Sequence, residues 1–298
     1  SDVCSSDLHH DIAVLEMGMS AAGEIRFLAG IAEPNDGVVT NVNPVHLEFF
    51  DSIEGIAKAK AELIEGLVEP RTAFLNNADP RVSAMAQKFT GRLVTYALGA
   101  AADYQVTDVA DLALKGTSFT VRHDKHEVRF TLPLLGTHNV ANAIAAIAVG
   151  AEHGVPWEEI VAAVAAMKPE KMRGEVLFFK DGIAAIDDTY NSNPKALTET
   201  LRMLGRLDGF TRKIAVAGEM LELGPDSDEL HRACGREAVN AGVSLFVGVR
   251  GRAQAFLDGA REAGAAEDQL HFAADSAEAA RYLLQTIKKG DVLLIKGS

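Results

Sequence analysis

Cysteine is nearly missing from this chain: Cys4 and Cys234 are the only two in 298 residues, far apart and in unrelated surroundings. They make neither a disulfide framework nor a metal-ligand spacing, which fits a reducing cytoplasm. No apolar run is long enough to cross a bilayer, so no membrane span is expected. Positive charge is also short. Against 42 Asp and Glu there are 29 Lys and Arg, giving a formal net charge of −13, and the cations do not gather into a stripe. A nucleic-acid backbone needs a positive surface to displace its counterions, so that partner is excluded. A nucleotide substrate is not, because backbone amides and metal ions can hold phosphates. Two phosphate-binding signatures are missing as well, the G-x-x-x-x-G-K-[ST] loop and the dinucleotide-type G-x-G-x-x-G. The two cysteines and nine histidines form no nucleophile elbow or zinc motif.

What is present is the profile of a soluble globular protein, 48% hydrophobic and 24% charged. The length suits two domains better than one. The opening SDVCSSDL has neither an apolar signal core nor an amphipathic pattern, and residues 1–10 read as a non-native or disordered leader. Beyond it, short β-like runs alternate with helical stretches. Residues 11–17 (DIAVLEM) read as a buried strand, 24–32 as a helix, 37–42 (GVVTNV) as a strand and 52–67 as a strongly periodic helix. Further strands are expected at 73–76 and 93–96. The runs SFTVRH and EVRFTL around HDKH suggest an antiparallel hairpin. An alanine-rich helix follows at about 138–153, and Pro156 opens another. The polar KPEKMRG at 168–174 is a candidate domain boundary. After it GIAAID, KIAVAG, SLFVGV and DVLLIK read as strands of an open, mostly parallel sheet with helices on both faces.

Ligands of such folds sit beyond the carboxyl ends of the strands. Four of those ends are polar here. Glu16 closes the first run, and His46 follows the second; carboxylate and imidazole would share a divalent metal if the strands are neighbours. The alternative is that each is a satisfied polar group at a strand end. Lys58 and Lys60, on the next helix, read as solvated charges. Residues 186–194 (IDDTYNSNP) make a hydroxyl-binding corner or an elaborate helix cap. The glycines of GEMLELG at 218–224 would let a loop approach a ligand, a weak signal alone.

Read together, LEMGMSAAGEI (15–25), TNVNPVHLEFF (40–50), AKAELIEG (59–66), GTHNVANAIAA (136–146), MRGE (172–175), IDDTYNSNP, GEMLELG and VLLIKGS (292–298) resemble the Mur ligases. These are ATP-dependent, amide-forming enzymes of bacterial cell-wall synthesis. HLEFF, YNSNP and GEMLELG favour the branch that joins D-alanyl-D-alanine to UDP-N-acetylmuramoyl-tripeptide. The resemblance implies an α/β chain of two parts. Residues 11–172 would be a central ATP-binding domain, its mostly parallel sheet carrying a small antiparallel part and lacking the phosphate loop. Residues 173–298 would be a Rossmann-like C-terminal domain. Glu16 and His46 match the metal-binding glutamate and histidine. Lys60 matches the lysine that is carbamylated, which turns a cation into an anionic oxygen donor for magnesium. Asn41, in the same string as His46, joins Lys60 and His46 in the implied catalytic set. Asn139 and, as a weaker companion, Asn142 match the adenine side of the nucleotide site. Arg173 matches the arginine that approaches the phosphates and Asp188 the ribose-binding aspartate. Tyr190 and Asn193 would line the active site, and Lys296 would meet the incoming amino component. ATP and Mg2+ are the implied cofactors, with a monomer the implied state.

Two other readings are weighed beside this one. A folylpolyglutamate synthase or cyanophycin synthetase relative would lack the HLEFF and YNSNP strings. A non-catalytic nucleotide-binding remnant has no physical reason to keep Glu16, His46, Lys60 and Asp188 together. Departures from the family pattern are Glu219 for an aspartate and Asp51 for a glycine. The family's phosphate loop and its domain for the UDP-sugar belong upstream of Asp11 and are not among these residues. These 298 residues by themselves are therefore expected to lack D-alanyl-D-alanine ligation; product formed by the isolated chain in an ATP-dependent assay would contradict this.

Overall fold

A computed structural model of the protein describes residues 10–43, Phe50 and 52–297. Residues 1–9 of the expected leader at 1–10, and His46, lie outside the described residues. The chain divides into two compact units, one of Ser1–Asp108, Thr120–Arg129 and Val140–Ile160, the other of Val109–Phe119, Phe130–Asn139 and Val161–Ser298.

The first unit begins with α1 (Glu24–Ala32), β1 (Asp36–Val39), α2 (Ile53–Glu65), β2 (Thr72–Asn76), α3 (Pro80–Ala84) and β3 (Arg92–Leu98). Then come β4 (Tyr104–Asp111), β5 (Thr117–His123), β6 (His126–Leu132), α4 (Thr137–Glu152) and α5 (Trp157–Ala165), parts of which fall to the second unit. The strands lie in chain order in one six-stranded sheet, β1 to β4 parallel. α2 forms because Ser52 caps it, its hydroxyl accepting from the Gly55 amide at 3.2 Å. Its buried residues Ile56, Ala59 and Ile64 pack with Val39, Val42, Ala73, Leu75 and Val82. From the same helix the buried carboxylate of Glu62 accepts the amides of Gly23 (3.0 Å) and Arg26 (3.1 Å), satisfying the amino end of α1.

The second unit carries β7 (Glu175–Phe178), β8 (Ala184–Asp188), α6 (Pro194–Arg206), β9 (Arg212–Gly218) and α7 (Ser227–Asn240). It continues with β10 (Leu245–Val249), α8 (Ala253–Glu262), β11 (Leu270–Ala273), α9 (Ser276–Thr286) and β12 (Asp291–Lys296). The sheet order is β11-β10-β9-β12-β8-β7, parallel except for β7 against β8. Residues of α6, α7 and α8 pack on one face and α9 on the other. That double cover explains the unbroken apolar run of β12, whose Val292, Leu293 and Leu294 are all buried.

Two expectations need correction, and three strands go unmarked in the sequence. Residues 11–17 are not a buried strand: they run outside the sheet, with Val14 90% exposed. An apolar run becomes a strand only where a neighbour supplies its hydrogen bonds, and β1 pairs with β2 alone among the described residues. β1 itself stops at Val39, not Val42, because its last residues turn to other partners. The parallel strand β4 stands beside the hairpin without an apolar run of its own to announce it. β7 and β11, four residues each, are too short to show an apolar period.

α7 and α8 cross at glycines. A Cβ on Gly235 would collide with the carbonyl oxygen of Phe256, and one on Gly259 with that of Arg232. Gly235→Ala should therefore cost about 1–3 kcal/mol by overpacking, read as a lower urea midpoint. A midpoint that rises, as helix propensity alone would predict, would contradict the close crossing.

Candidate active site

The carboxyl end of β1 leaves the sheet with its backbone groups taken up one after another by side chains. The buried Tyr96 hydroxyl donates to the Val39 carbonyl at 2.9 Å, and Asn76 Nδ2 to the Thr40 carbonyl at 2.8 Å. Lys60 Nζ donates to the Asn41 carbonyl at 2.7 Å. The Val42 amide donates to Asp79 Oδ2 at 2.7 Å, and the Val42 side chain is buried in the core. Asn41 Oδ1 accepts from Asn43 Nδ2 at 3.0 Å. Lys60 is half-buried, and burial pushes its ammonium below the ordinary lysine range, with the Asp79 charge pulling it part of the way back. The solvated-charge reading of Lys60 thus fails, because α2 turns this position toward the end of β1. Lys58, on the same helix, is exposed.

Glu16 is exposed on the extended segment before α1. His46, its expected partner, lies outside the described residues. Among the described residues no group of three His, Cys, Asp or Glu side chains is arranged to hold a metal ion. The expected donor set of a carboxylate, an imidazole and a lysine carbamate is not of that composition. Its oxygen donors have the hardness that magnesium requires.

In the second unit the carboxyl ends of β8 and β12 are register neighbours, Lys296 opposite Asp188. Lys296 is 4% exposed, and its Nζ donates to Asp188 Oδ2 at 2.6 Å and to the Asn191 carbonyl at 3.0 Å. Asp187 turns the other way, accepting from the Thr189 hydroxyl at 2.6 Å. Asn193 caps α6 through the Ala196 amide at 2.9 Å, so the helix-cap reading holds for this residue. Arg173 and Tyr190, both exposed, stack with the guanidinium 4.0 Å from the ring centroid, and the Tyr190 amide donates to the Met172 carbonyl at 3.0 Å. Asn139 and Asn142 lie near the start of α4; Asn139 Nδ2 donates back to the Leu135 carbonyl at 2.8 Å and Asn142 is exposed.

Some positioning groups escape a reading of the sequence. Asp79 is the main one, although the D-P pair before a helix is a recognisable cap signal. Its Oδ1 accepts the amides of Arg81 (2.9 Å) and Val82 (3.3 Å). His231 is another, buried at 1% exposure. Its Nε2 accepts the Met220 amide at 3.0 Å while its Nδ1 meets the Ser227 carbonyl at 2.7 Å, which fixes the 218–224 loop. No local pattern marks it.

Comparison with known proteins gives a consistent result. The family profile of the Mur ligase middle domain matches residues 5–150, and that of the Mur ligase, glutamate ligase domain matches 172–298. The UDP-N-acetylmuramoyl-tripeptide–D-alanyl-D-alanine ligase of Bacillus subtilis is 33% identical over 97% of this chain and 62% of its own length. Among solved structures, MurF of Acinetobacter baumannii superposes with a TM-score of 0.85 at 27% identity, covering 95% of this chain and 61% of that one. The MurF ligase of Thermotoga maritima, solved in complex with ADP, has a TM-score of 0.77 at 26% identity over 94% of this chain and 62% of that one. The chain thus spans about three fifths of the length of these relatives.

The Lys296–Asp188 pair is testable by itself. Lys296→Met leaves a largely buried carboxylate without its cation and should cost about 3 kcal/mol. Adding Asp188→Leu should recover most of that in the same denaturant titration. A single variant within 0.5 kcal/mol of the parent, at about the size of an ordinary surface change, would contradict the pairing.

Proposed function

The chain belongs to the Mur ligase family, and on that premise we propose that the protein containing it uses ATP to join D-alanyl-D-alanine to UDP-N-acetylmuramoyl-tripeptide. One observation carries this reading: relatives named for that reaction align with 97% of the chain, in Bacillus subtilis and Escherichia coli alike. The geometry at the two strand ends supports it.

In the first unit, Lys60 is the residue best suited to modification. Its amine is half-buried, held at 2.7 Å by the Asn41 carbonyl and shifted toward the neutral form that reacts with carbon dioxide. The resulting carbamate is an anionic oxygen donor beside the strand end that leads to His46. Glu16, His46 and carbamylated Lys60 would hold magnesium. When bound, it supplies neutralisation of the charge that builds on the transferring phosphoryl oxygens.

In the second unit, Asp188 accepts the ribose hydroxyls, and the buried Lys296 ammonium orients that carboxylate. Lys296 thus acts through Asp188 in this reading, since its donors point to Asp188 and the Asn191 carbonyl. Arg173, flattened on Tyr190, presents its guanidinium to the nucleotide phosphates. Asn193 shapes the loop as a helix cap. Asn139 and Asn142, on α4, are the adenine-side pair that the family resemblance implies.

The chemistry is acyl transfer through phosphate. A carboxylate oxygen of the tripeptide attacks the γ-phosphorus of ATP, and ADP departs with the electron pair of the broken P–O bond. The amine of D-alanyl-D-alanine then attacks the acyl carbon, loses a proton, and the tetrahedral intermediate expels phosphate. Positioning provides most of the acceleration in such a sequence.

The test uses the polypeptide encoded by the whole reading frame that contains these residues. Phosphate release from ATP should require both the UDP-muramoyl tripeptide and D-alanyl-D-alanine, and Lys60→Ala should lower kcat by about 10²–10³-fold. Release supported by L-alanine or D-glutamate, and not by D-alanyl-D-alanine, would overturn the proposed substrate.

A further inference from the structure

Asp79 belongs to no reactive set, yet it touches the same peptide group as Lys60. The Asn41 carbonyl accepts from Lys60 Nζ at 2.7 Å, and the Val42 amide donates to Asp79 Oδ2 at 2.7 Å. These are the C=O and N–H of one peptide unit. A trans peptide is planar, and its C=O and N–H point in opposite directions. A grip on the N–H therefore sets the direction of the C=O.

Asp79 is itself held firmly. Its other oxygen, Oδ1, accepts the Arg81 and Val82 amides at the start of α3, and the Val82 side chain is fully buried in the core of this unit. The Asn76 bond to the Thr40 carbonyl holds the preceding residue. The Asn41–Val42 peptide is thus clamped between a fixed carboxylate on one side and the lysine on the other.

We propose that Asp79 is a positioning residue for the modified Lys60: through the Asn41–Val42 peptide it aims the Asn41 carbonyl at Nζ, so that the carbamate is held in one orientation. This rests on the carbamate reading given above. In the step concerned, the lone pair of the neutral Lys60 amine attacks the carbon of dissolved carbon dioxide. An N–C bond forms, one C–O π pair moves onto oxygen, and one proton passes from Nζ to water. The product keeps a single N–H. Conjugation makes the carbamate planar, so one hydrogen bond from that N–H to the Asn41 carbonyl fixes the plane and turns both carbamate oxygens away from the backbone. Without the Asp79 grip the peptide can rotate, and the carbamate loses the acceptor that fixes its plane.

Asp79→Asn separates this role from folding. Asparagine is as good a helix cap as aspartate, so its oxygen can keep the Arg81 and Val82 amides. Its amide nitrogen then faces the Val42 N–H, donor against donor. Asp79→Ser serves as a second variant, capping α3 with a side chain too short to reach Val42. The probe is 13C-bicarbonate, and the readout is the carbamate 13C resonance of the 298-residue chain, assigned by its disappearance in Lys60→Arg. With circular dichroism and the unfolding midpoint retained, both Asp79 variants should broaden or split the single carbamate resonance of the unsubstituted chain, without loss of occupancy, because removing the Asp79 charge favours the neutral amine. A carbamate resonance of parental position and width in both variants would overturn the role of Asp79 and leave the carbamate reading standing. No carbamate signal in the unsubstituted chain would overturn the carbamate reading, and this inference with it.

Discussion

The first unit depends on one constraint: the backbone of residues 39–42 leaves the sheet before its polar groups have partners. A parallel strand ends where its neighbours still run on, and groups left there without partners are costly if buried. Here Tyr96, Asn76, Lys60 and Asp79 take up those groups in succession, from three different elements and the turn before α3. The strand end becomes a rigid shelf, because each bond comes from a side chain anchored elsewhere. Of the four, only Lys60 is both half-buried and reactive, so the same bonding that satisfies the backbone also presents an amine at a fixed place.

The second unit solves the same problem with charge. Lys296 and Asp188 face each other from adjacent strands, and the lysine reaches on to the Asn191 carbonyl. A pair this buried contributes little net stability compared with apolar residues of the same shape. Its effect is positional: it holds a carboxylate at the carboxyl edge of a doubly wound sheet, where ligands of this architecture bind. The 218–224 loop at the neighbouring strand is fixed by His231, which bridges the Met220 amide and the Ser227 carbonyl.

Much of this is readable from local pattern. α1 spans 24–32 as its periodicity indicates, and α2 begins beside Ser52 because a serine cap precedes a run with apolar spacing. The central strands of the second unit are visible as unbroken apolar runs, since both their faces are covered. Segment 11–17 misleads for the same reason: an apolar run reports a wish for burial, not the presence of a neighbour. The site is legible only in part. Lys60 looks like any helix-face lysine until the fold turns it toward Asn41. Asp79 meets Val42 across 37 positions and Lys296 meets Asp188 across 108, separations that no local pattern encodes. The resemblance to the Mur ligases draws attention to Lys60 and Asp188, and it is silent on what holds them.

The central claim is that the shelf at the end of β1 serves a divalent cation. Titrating the chain with Mn2+ while following backbone amide resonances tests it most directly, because paramagnetic broadening falls off steeply with distance from the ion. In bicarbonate buffer the amides of Asn41 and Val42 should broaden first, and Lys60→Ala should abolish that preference. Broadening that spreads evenly over the acidic surface, or begins in residues 173–298, would contradict the account.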